Sequence, residues 1–148
     1  MKKIKRVLNY LKKYKLYAML APILIILEVI MDLMLPNMMS DIINIGVANQ
    51  DTKYVIINVI LMFLLTIIGV AGGLGSSFFA AKASENVAAD LRQEVFAKIS
   101  RLSFFNIEKI KPGHLLTVLT NDISTIGMLI MMGLRILFRV PVIFLGSL

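Results

Sequence analysis

The 148-residue chain is 58% hydrophobic, has a mean hydropathy of +0.83 and carries a formal net charge of +7. Its apolar residues form long uninterrupted blocks, which would leave a soluble fold with helices that are apolar on every side, so the composition indicates a membrane protein. The sequence has no cysteine and His114 is its only histidine, which excludes disulfides and makes a metal site unexpected. The basic residues lie beside the apolar blocks, as membrane topology requires, and nucleic acid is therefore not an expected partner.

Residues 1–15 form a basic cytoplasmic lead with seven Lys or Arg residues and no acid. This lead is similar to the start of a signal peptide, but the apolar run that follows, residues 16–39, is longer than the ~7–15 residues of a signal-peptide core, and no small-x-small cleavage site ends it. As a helix it would extend ~36 Å, enough to cross a bilayer core of ~30 Å. We expect an uncleaved first span in the inner (plasma) membrane, with the N-terminus in the cytoplasm.

Two carboxylates lie within this first span. Glu28 and Asp32 are four residues apart, as are Asp32 and Pro36, so all three share one helix face. A carboxylate inside a span is costly and usually faces a cavity, a partner or a proton path. Glu28 and Asp32 are therefore candidates for a substrate pathway that accepts cationic compounds. The alternatives are that Asp32 lies near the outer interface and that Glu28 pairs with a neighbouring helix or is protonated.

Residues 40–53 are expected to form an external loop, and residues 54–81 a second span that returns to the cytoplasm. The glycines between Gly69 and Gly75 superficially resemble a nucleotide-binding loop. Such a loop ends in Gly-Lys-Ser/Thr, and the sequence contains no Gly-Lys pair. Inside an apolar span, small residues instead favour close helix packing.

The helical pattern continues past the second span, because no proline or glycine occurs between Ser76 and Asn106. It predicts one helix of about 48 residues, ~70 Å long. Residues 82–139 would form cytoplasmic extensions and an intracellular loop, with a turn at Pro112-Gly113 and a short amphipathic helix near residues 115–120. A third span would start at residues 140–148. Arg135 and Arg139, on one face before this start, are predicted interfacial anchors. No constellation for covalent catalysis is evident.

Four stretches carry a family resemblance. They are the lead with the first span, LNYLKKYKLYAMLAPILIILEVIMDLMLPNMMSDIINIGVANQD, then AADLRQEVFAKISRLSFF, KPGHLLTVLTNDISTI and MMGLRILFRVPVIF. In this order they resemble the transmembrane domain of ABC exporters, in particular bacterial multidrug half-transporters with the type 1 exporter fold. The resemblance implies an all-α membrane protein with two complete long transmembrane helices, the start of a third, cytoplasmic helical extensions and a coupling helix. It assigns to that coupling helix Leu115, Leu116, Leu119, Thr120, Asn121 and Asp122.

The resemblance also implies a function for the chain as the N-terminal part of an exporter membrane domain. The expected partners are the lipid bilayer, a second half-transporter in a homo- or heterodimer, ATPase domains docked at the coupling helix, and a small lipophilic or cationic substrate. ATP and magnesium would bind in the ATPase domain of the parent protein. Because Walker motifs do not occur in these 148 residues, we expect a fragment that is not an enzyme on its own. The alternative is a stand-alone small membrane scaffold or regulatory protein.

Overall fold

The computed structural model describes residues 10–101 and 112–146, and these residues are helical apart from short turns, with no strand among them. In chain order the elements are helix α1 (Lys15–Asp41), a π-helical segment (Ile42–Val47), helix α2 (Thr52–Ile99), helix α3 (Pro112–Thr117), a second π-helical segment (Val118–Asp122) and helix α4 (Ile123–Gly146). Three continuous helical stretches, Lys15–Val47, Thr52–Ile99 and Gly113–Gly146, are long and apolar enough to cross a membrane. The prediction of an all-α membrane protein is confirmed.

The connection between the first two long helices is shorter than the loop predicted at residues 40–53. Helical structure continues to Val47, and only residues 48–51 separate it from α2. Ile42 and Gly46 are buried, so one face of the segment IINIGV packs inside the protein. Gln50 makes the turn in the left-handed region at a φ of 55°, and Asp51 caps α2 by accepting a hydrogen bond from the Tyr54 backbone N–H at 3.0 Å.

Helix α2 is 48 residues long and unbroken, as the absence of proline and glycine after Ser76 indicated. It ends at Ile99, and Ser100 and Arg101 form a turn where the sequence predicted that the helix continues; residues 102–106 lie outside the described part of the chain. Pro112, placed in a turn by the sequence, is the first residue of α3. The amphipathic helix predicted near residues 115–120 is not a separate element, because α3, the second π-helical segment and α4 follow one another without a turn.

The chain divides into two compact units. The first unit combines Met1–Met19 with Phe79–Leu134, and the second combines Leu20–Phe78 with Arg135–Leu148. Within the first unit, Ser84 and Gly127 join α2 to α4 through a hydrogen bond from the serine hydroxyl to the glycine carbonyl, 2.5 Å long. A Cβ at Gly127 would lie 3.1 Å from the Ser84 hydroxyl oxygen, so glycine allows this contact between the two helices.

Within the second unit, α1 and α2 meet through small residues. Ser76 is fully buried and donates a hydrogen bond of 2.9 Å to the carbonyl oxygen of Ala21, which is itself fully buried. One turn earlier on α2, a Cβ added at Gly72 would lie 3.1 Å from the Leu24 carbonyl oxygen. The glycines of the second span therefore pack against α1, as predicted, and their missing side chains let the two backbones come close.

Replacing Gly72 with leucine should destabilise the α1–α2 contact. The new side chain has to enter space beside the Leu24 carbonyl, and overpacking of this kind costs about 1–3 kcal/mol. Thermal unfolding of the purified protein in detergent measures the effect. The matched control is Gly133→Leu in α4, where a Cβ meets nothing within 4 Å and little change is expected. Equal losses in the two variants would contradict the contact.

Candidate functional site

The second unit contains a cluster of three charged side chains from α1 and α4, which we call the ionic cluster: Glu28, Asp32 and Arg139. The Arg139 guanidinium places Nη1 3.5 Å from Oε1 of Glu28 and Nη2 4.0 Å from Oδ2 of Asp32. The Glu28 side chain is only 15% exposed, whereas Asp32 is 54% and Arg139 40% exposed. Glu28 is therefore the most deeply buried charge of the cluster and the one that Arg139 approaches most closely.

The Glu28 carboxylate also lies against the backbone of α2. A Cβ at Gly73 would be 2.8 Å from Oε2 and 2.9 Å from Cδ of Glu28. Any residue other than glycine at this position would therefore force the Glu28 side chain to move. Oε2 is buried, and within residues 10–101 and 112–146 no donor forms a hydrogen bond with it. A buried acceptor without a donor is costly, and the carboxylate therefore keeps capacity for a further polar partner.

The structure brings together residues to which the sequence assigned separate roles. Glu28 and Asp32 do lie on one face of α1, and Arg139, predicted as an interfacial anchor, reaches both of them. The contact agrees with the alternative that Glu28 pairs with a neighbouring helix, although Arg139 was not predicted as the partner. The sequence signal for it was complementary charge, because arginines within one apolar run and two acids within another are better accommodated together than apart. Arg135 is half-buried, and its Nε has no hydrogen-bond partner among the described residues.

The residues predicted to form a coupling helix lie in the first unit, on α3 and the second π-helical segment. Leu116, Thr120, Asn121 and Asp122 are exposed, and Leu115 and Leu119 are half-buried. Four hydroxyl side chains between Thr117 and Thr125 donate hydrogen bonds to carbonyl oxygens four residues earlier. Such bonds bend helices, and they accompany the change from α- to π-helical geometry at Val118.

Arg92 of α2 holds this segment in place. Its Nε donates to the Leu119 carbonyl oxygen at 3.3 Å, and its Nη2 donates to the Ser124 hydroxyl at 2.9 Å. The exposed residues Thr120 and Asn121 lie between these two anchoring points in sequence. The segment therefore presents polar side chains on a backbone that is tied to a long helix.

A second set of polar contacts joins the N-terminal lead to α2. Lys13 forms a salt bridge of 2.9 Å with Asp90, which also accepts a hydrogen bond from the Tyr14 hydroxyl at 3.1 Å, and Tyr10 donates a hydrogen bond to Glu94. The hydrogen bond with Asp90 raises the pKa of Lys13 above its usual value of 10.5, with Tyr14 contributing in the same direction. The lysine keeps its charge at neutral pH, and its contribution is lost only as the pH rises through this raised pKa.

Metal coordination finds no support in the described part of the chain, where no three His, Cys, Asp or Glu side chains form a group that could hold an ion. The ionic cluster and the segment tied down by Arg92 remain as the two candidate sites. The first places charged side chains between helices, and the second exposes polar side chains.

Comparison with known proteins identifies relatives of the whole chain. Residues 18–148 match the family model described as ABC transporter transmembrane region. An uncharacterized ABC transporter ATP-binding protein of Bacillus subtilis, YfiB, is 33% identical over 144 residues, which cover 97% of this chain and 25% of the relative. A putative export ATP-binding/permease protein of Rickettsia prowazekii is 25% identical over 96% of this chain and 25% of its own length. The chain thus spans a quarter of the length of these relatives.

Neutralising Glu28 and Arg139 separately and together should reveal their interaction. We expect the variants Glu28→Gln and Arg139→Gln to show a coupling free energy of about 1–3 kcal/mol for unfolding, because the Glu28 side chain is only 15% exposed and loses its countercharge without Arg139. The matched cycle of Asp32→Asn with Arg139→Gln should give less than about 1 kcal/mol, since Asp32 is exposed and 4.0 Å away. Additive effects in the first cycle would show that Glu28 and Arg139 do not pair.

Proposed function

We propose that this chain, which belongs to the ABC transporter transmembrane region family, forms the N-terminal part of the membrane domain of an ATP-driven exporter subunit. The match over residues 18–148 carries the proposal. Several relatives are named as ATP-binding proteins, and one name joins export, ATP binding and permease in a single protein. The three long apolar helices support a membrane-embedded role.

In this role, the ionic cluster forms part of the substrate pathway. Charged side chains within a span mark functional sites by default, and Glu28, Asp32 and Arg139 all belong to helices long and apolar enough to cross a membrane. The substrates we propose are small lipophilic or cationic compounds, for which the two carboxylates supply the attraction. Oε2 of Glu28, which has no donor among residues 10–101 and 112–146, supports this assignment because it can accept a hydrogen bond from a bound molecule.

The segment from Leu115 to Asp122 acts as the coupling element. ATP and magnesium bind to an ATPase domain that docks against its exposed residues, and a second half-transporter completes the pathway. Arg92 hydrogen-bonds the backbone of the segment to α2. A displacement of the segment by the ATPase domain therefore also displaces a continuous helix of 48 residues. Rigid helices transmit such displacements as rigid-body motion.

The proposed orientation places the connection at residues 48–51 outside the cell and the coupling segment inside. These 148 residues contain no cysteine, so none of them competes with an introduced cysteine for the label. We expect Asn49→Cys to react with a membrane-impermeant maleimide in intact cells, and Thr120→Cys to react only after permeabilisation. Both residues are exposed, which makes their reactivity comparable. Labelling of Thr120→Cys in intact cells would contradict the orientation.

Docking of the ATPase domain can be tested in membranes that contain the complete exporter. A photoactivatable maleimide attached to Thr120→Cys should cross-link to the ATPase domain, and ATP with vanadate should change the yield because nucleotide closure moves that domain. The same reagent on Asn49→Cys is the matched control and should give no such product. Equal cross-linking from both positions, or from neither, would refute the coupling role.

A further inference from the structure

We propose that Arg139 is an internal cation that a positively charged substrate has to displace from Glu28, so that Arg139 sets the charge selectivity of the pathway. This inference rests on the proposed role of the ionic cluster in transport. Arg139, which the sequence predicted as an interfacial anchor, thereby has a specific task in the pathway. The strength of its ion pair with Glu28 determines which substrates bind.

The geometry shows incomplete charge compensation. Two acids face one base in the cluster, which gives a formal charge of −1, and Arg139 lies nearer to Glu28, at 3.5 Å, than to Asp32, at 4.0 Å. A contact of 3.5 Å is long for a charge-assisted hydrogen bond, for which about 2.7–2.9 Å is usual. The guanidinium therefore holds the place of a cation at Glu28 without the short bonds that would make it hard to displace.

The chemistry of Glu28 determines what can replace the guanidinium. Oε1 faces Arg139, whereas the buried Oε2 has no hydrogen-bond donor within the described residues. An incoming cation that moves Arg139 aside gains attraction from the whole carboxylate and from the neighbouring Asp32. An anion gains nothing from Glu28 and depends on Arg139. The two classes of ion therefore respond in opposite directions to the loss of Arg139.

Gly73 offers a way to move the Glu28 carboxylate without changing any charge. A Cβ at this position would lie 2.8 Å from Oε2, and because this atom ends a flexible side chain, the carboxylate can shift while the helices stay together. At Gly69, one turn earlier on the same face, a Cβ would make an ordinary contact with the Met31 Cβ at 3.4 Å. Gly73→Ala and Gly69→Ala thus form a matched pair.

The test uses tetraphenylphosphonium and tetraphenylborate, two ions of nearly the same shape and opposite charge. Their binding to the complete transporter in nanodiscs is measured by equilibrium dialysis, with empty nanodiscs correcting for lipid partitioning. We expect Arg139→Gln to bind the phosphonium about tenfold more tightly than wild type and the borate more weakly, since an internal competitor and its positive charge are removed. Arg139→Lys, which retains the charge, should stay within about threefold of wild type for both ions.

The double variant Glu28→Gln/Arg139→Gln separates the carboxylate from net charge. It retains the formal charge of −1 through Asp32 but lacks the Glu28 carboxylate to which the cation would bind. Its affinity for the phosphonium should therefore fall at least about tenfold below that of Arg139→Gln. Gly73→Ala should weaken phosphonium binding about threefold or more, and Gly69→Ala should leave it within twofold. These two variants keep the test informative if Arg139→Gln does not fold.

Several outcomes would overturn the inference. They are parallel shifts of both ions in Arg139→Gln, phosphonium binding by the double variant equal to that of Arg139→Gln, and a wild type that binds neither ion. The proposed function has its own readout, the cross-link from Thr120→Cys to the ATPase domain. A retained cross-link without phosphonium binding removes only the role of Arg139, whereas loss of the cross-link removes the coupling function.

Discussion

Close approach of α1 and α2 is the constraint on which the rest of the second unit depends. In lipid, helices gain no hydrophobic driving force from contact with each other, and association relies on packing and on polar contacts between backbones that come near. Gly72, Gly73 and Ser76 supply that proximity, with the serine hydroxyl bonded to the Ala21 carbonyl. The same proximity places the Glu28 carboxylate against α2. Larger side chains on this face of α2 would push the Glu28 carboxylate away from the position in which it meets Arg139.

The ionic cluster follows from the cost of charge within an apolar environment. Ionised groups in a span are retained when they pair or face a polar cavity, and a buried pair broken on one side leaves an uncompensated charge behind. The long contacts to Arg139 reduce this energetic cost only in part, because Oε2 of Glu28 is buried without a hydrogen bond from any residue that the structure describes. Such a cluster is held together weakly enough to change partners. In an exporter, a site that changes partners suits substrates that have to bind and then leave.

The sequence predicted the helices well and the contacts between them poorly. The continuation of α2 beyond the second span followed from the absence of proline and glycine after Ser76, and the packing role of the glycines before it followed from their place in an apolar run. The helical extension to Val47 was missed because Asn44 and Asp41 read as loop residues, although Ile42 packs inside. The pairing of Arg139 with Glu28 joins residues that are 111 positions apart, and periodicity along one helix contains no information about such distances. The π-helical geometry at Val118 occurs in a segment with several hydroxyl-to-carbonyl hydrogen bonds, and composition alone does not reveal either feature.

The proposed role of Glu28 in the pathway of an ATP-driven exporter can be measured as ATP-dependent uptake of tetraphenylphosphonium into inside-out vesicles. The complete transporter with wild-type sequence should accumulate the ion when ATP is added, and Glu28→Gln should reduce the initial rate at least about tenfold while the protein remains folded and retains basal ATP hydrolysis. Uptake that is independent of ATP, or that proceeds equally well with Glu28→Gln, would contradict the account.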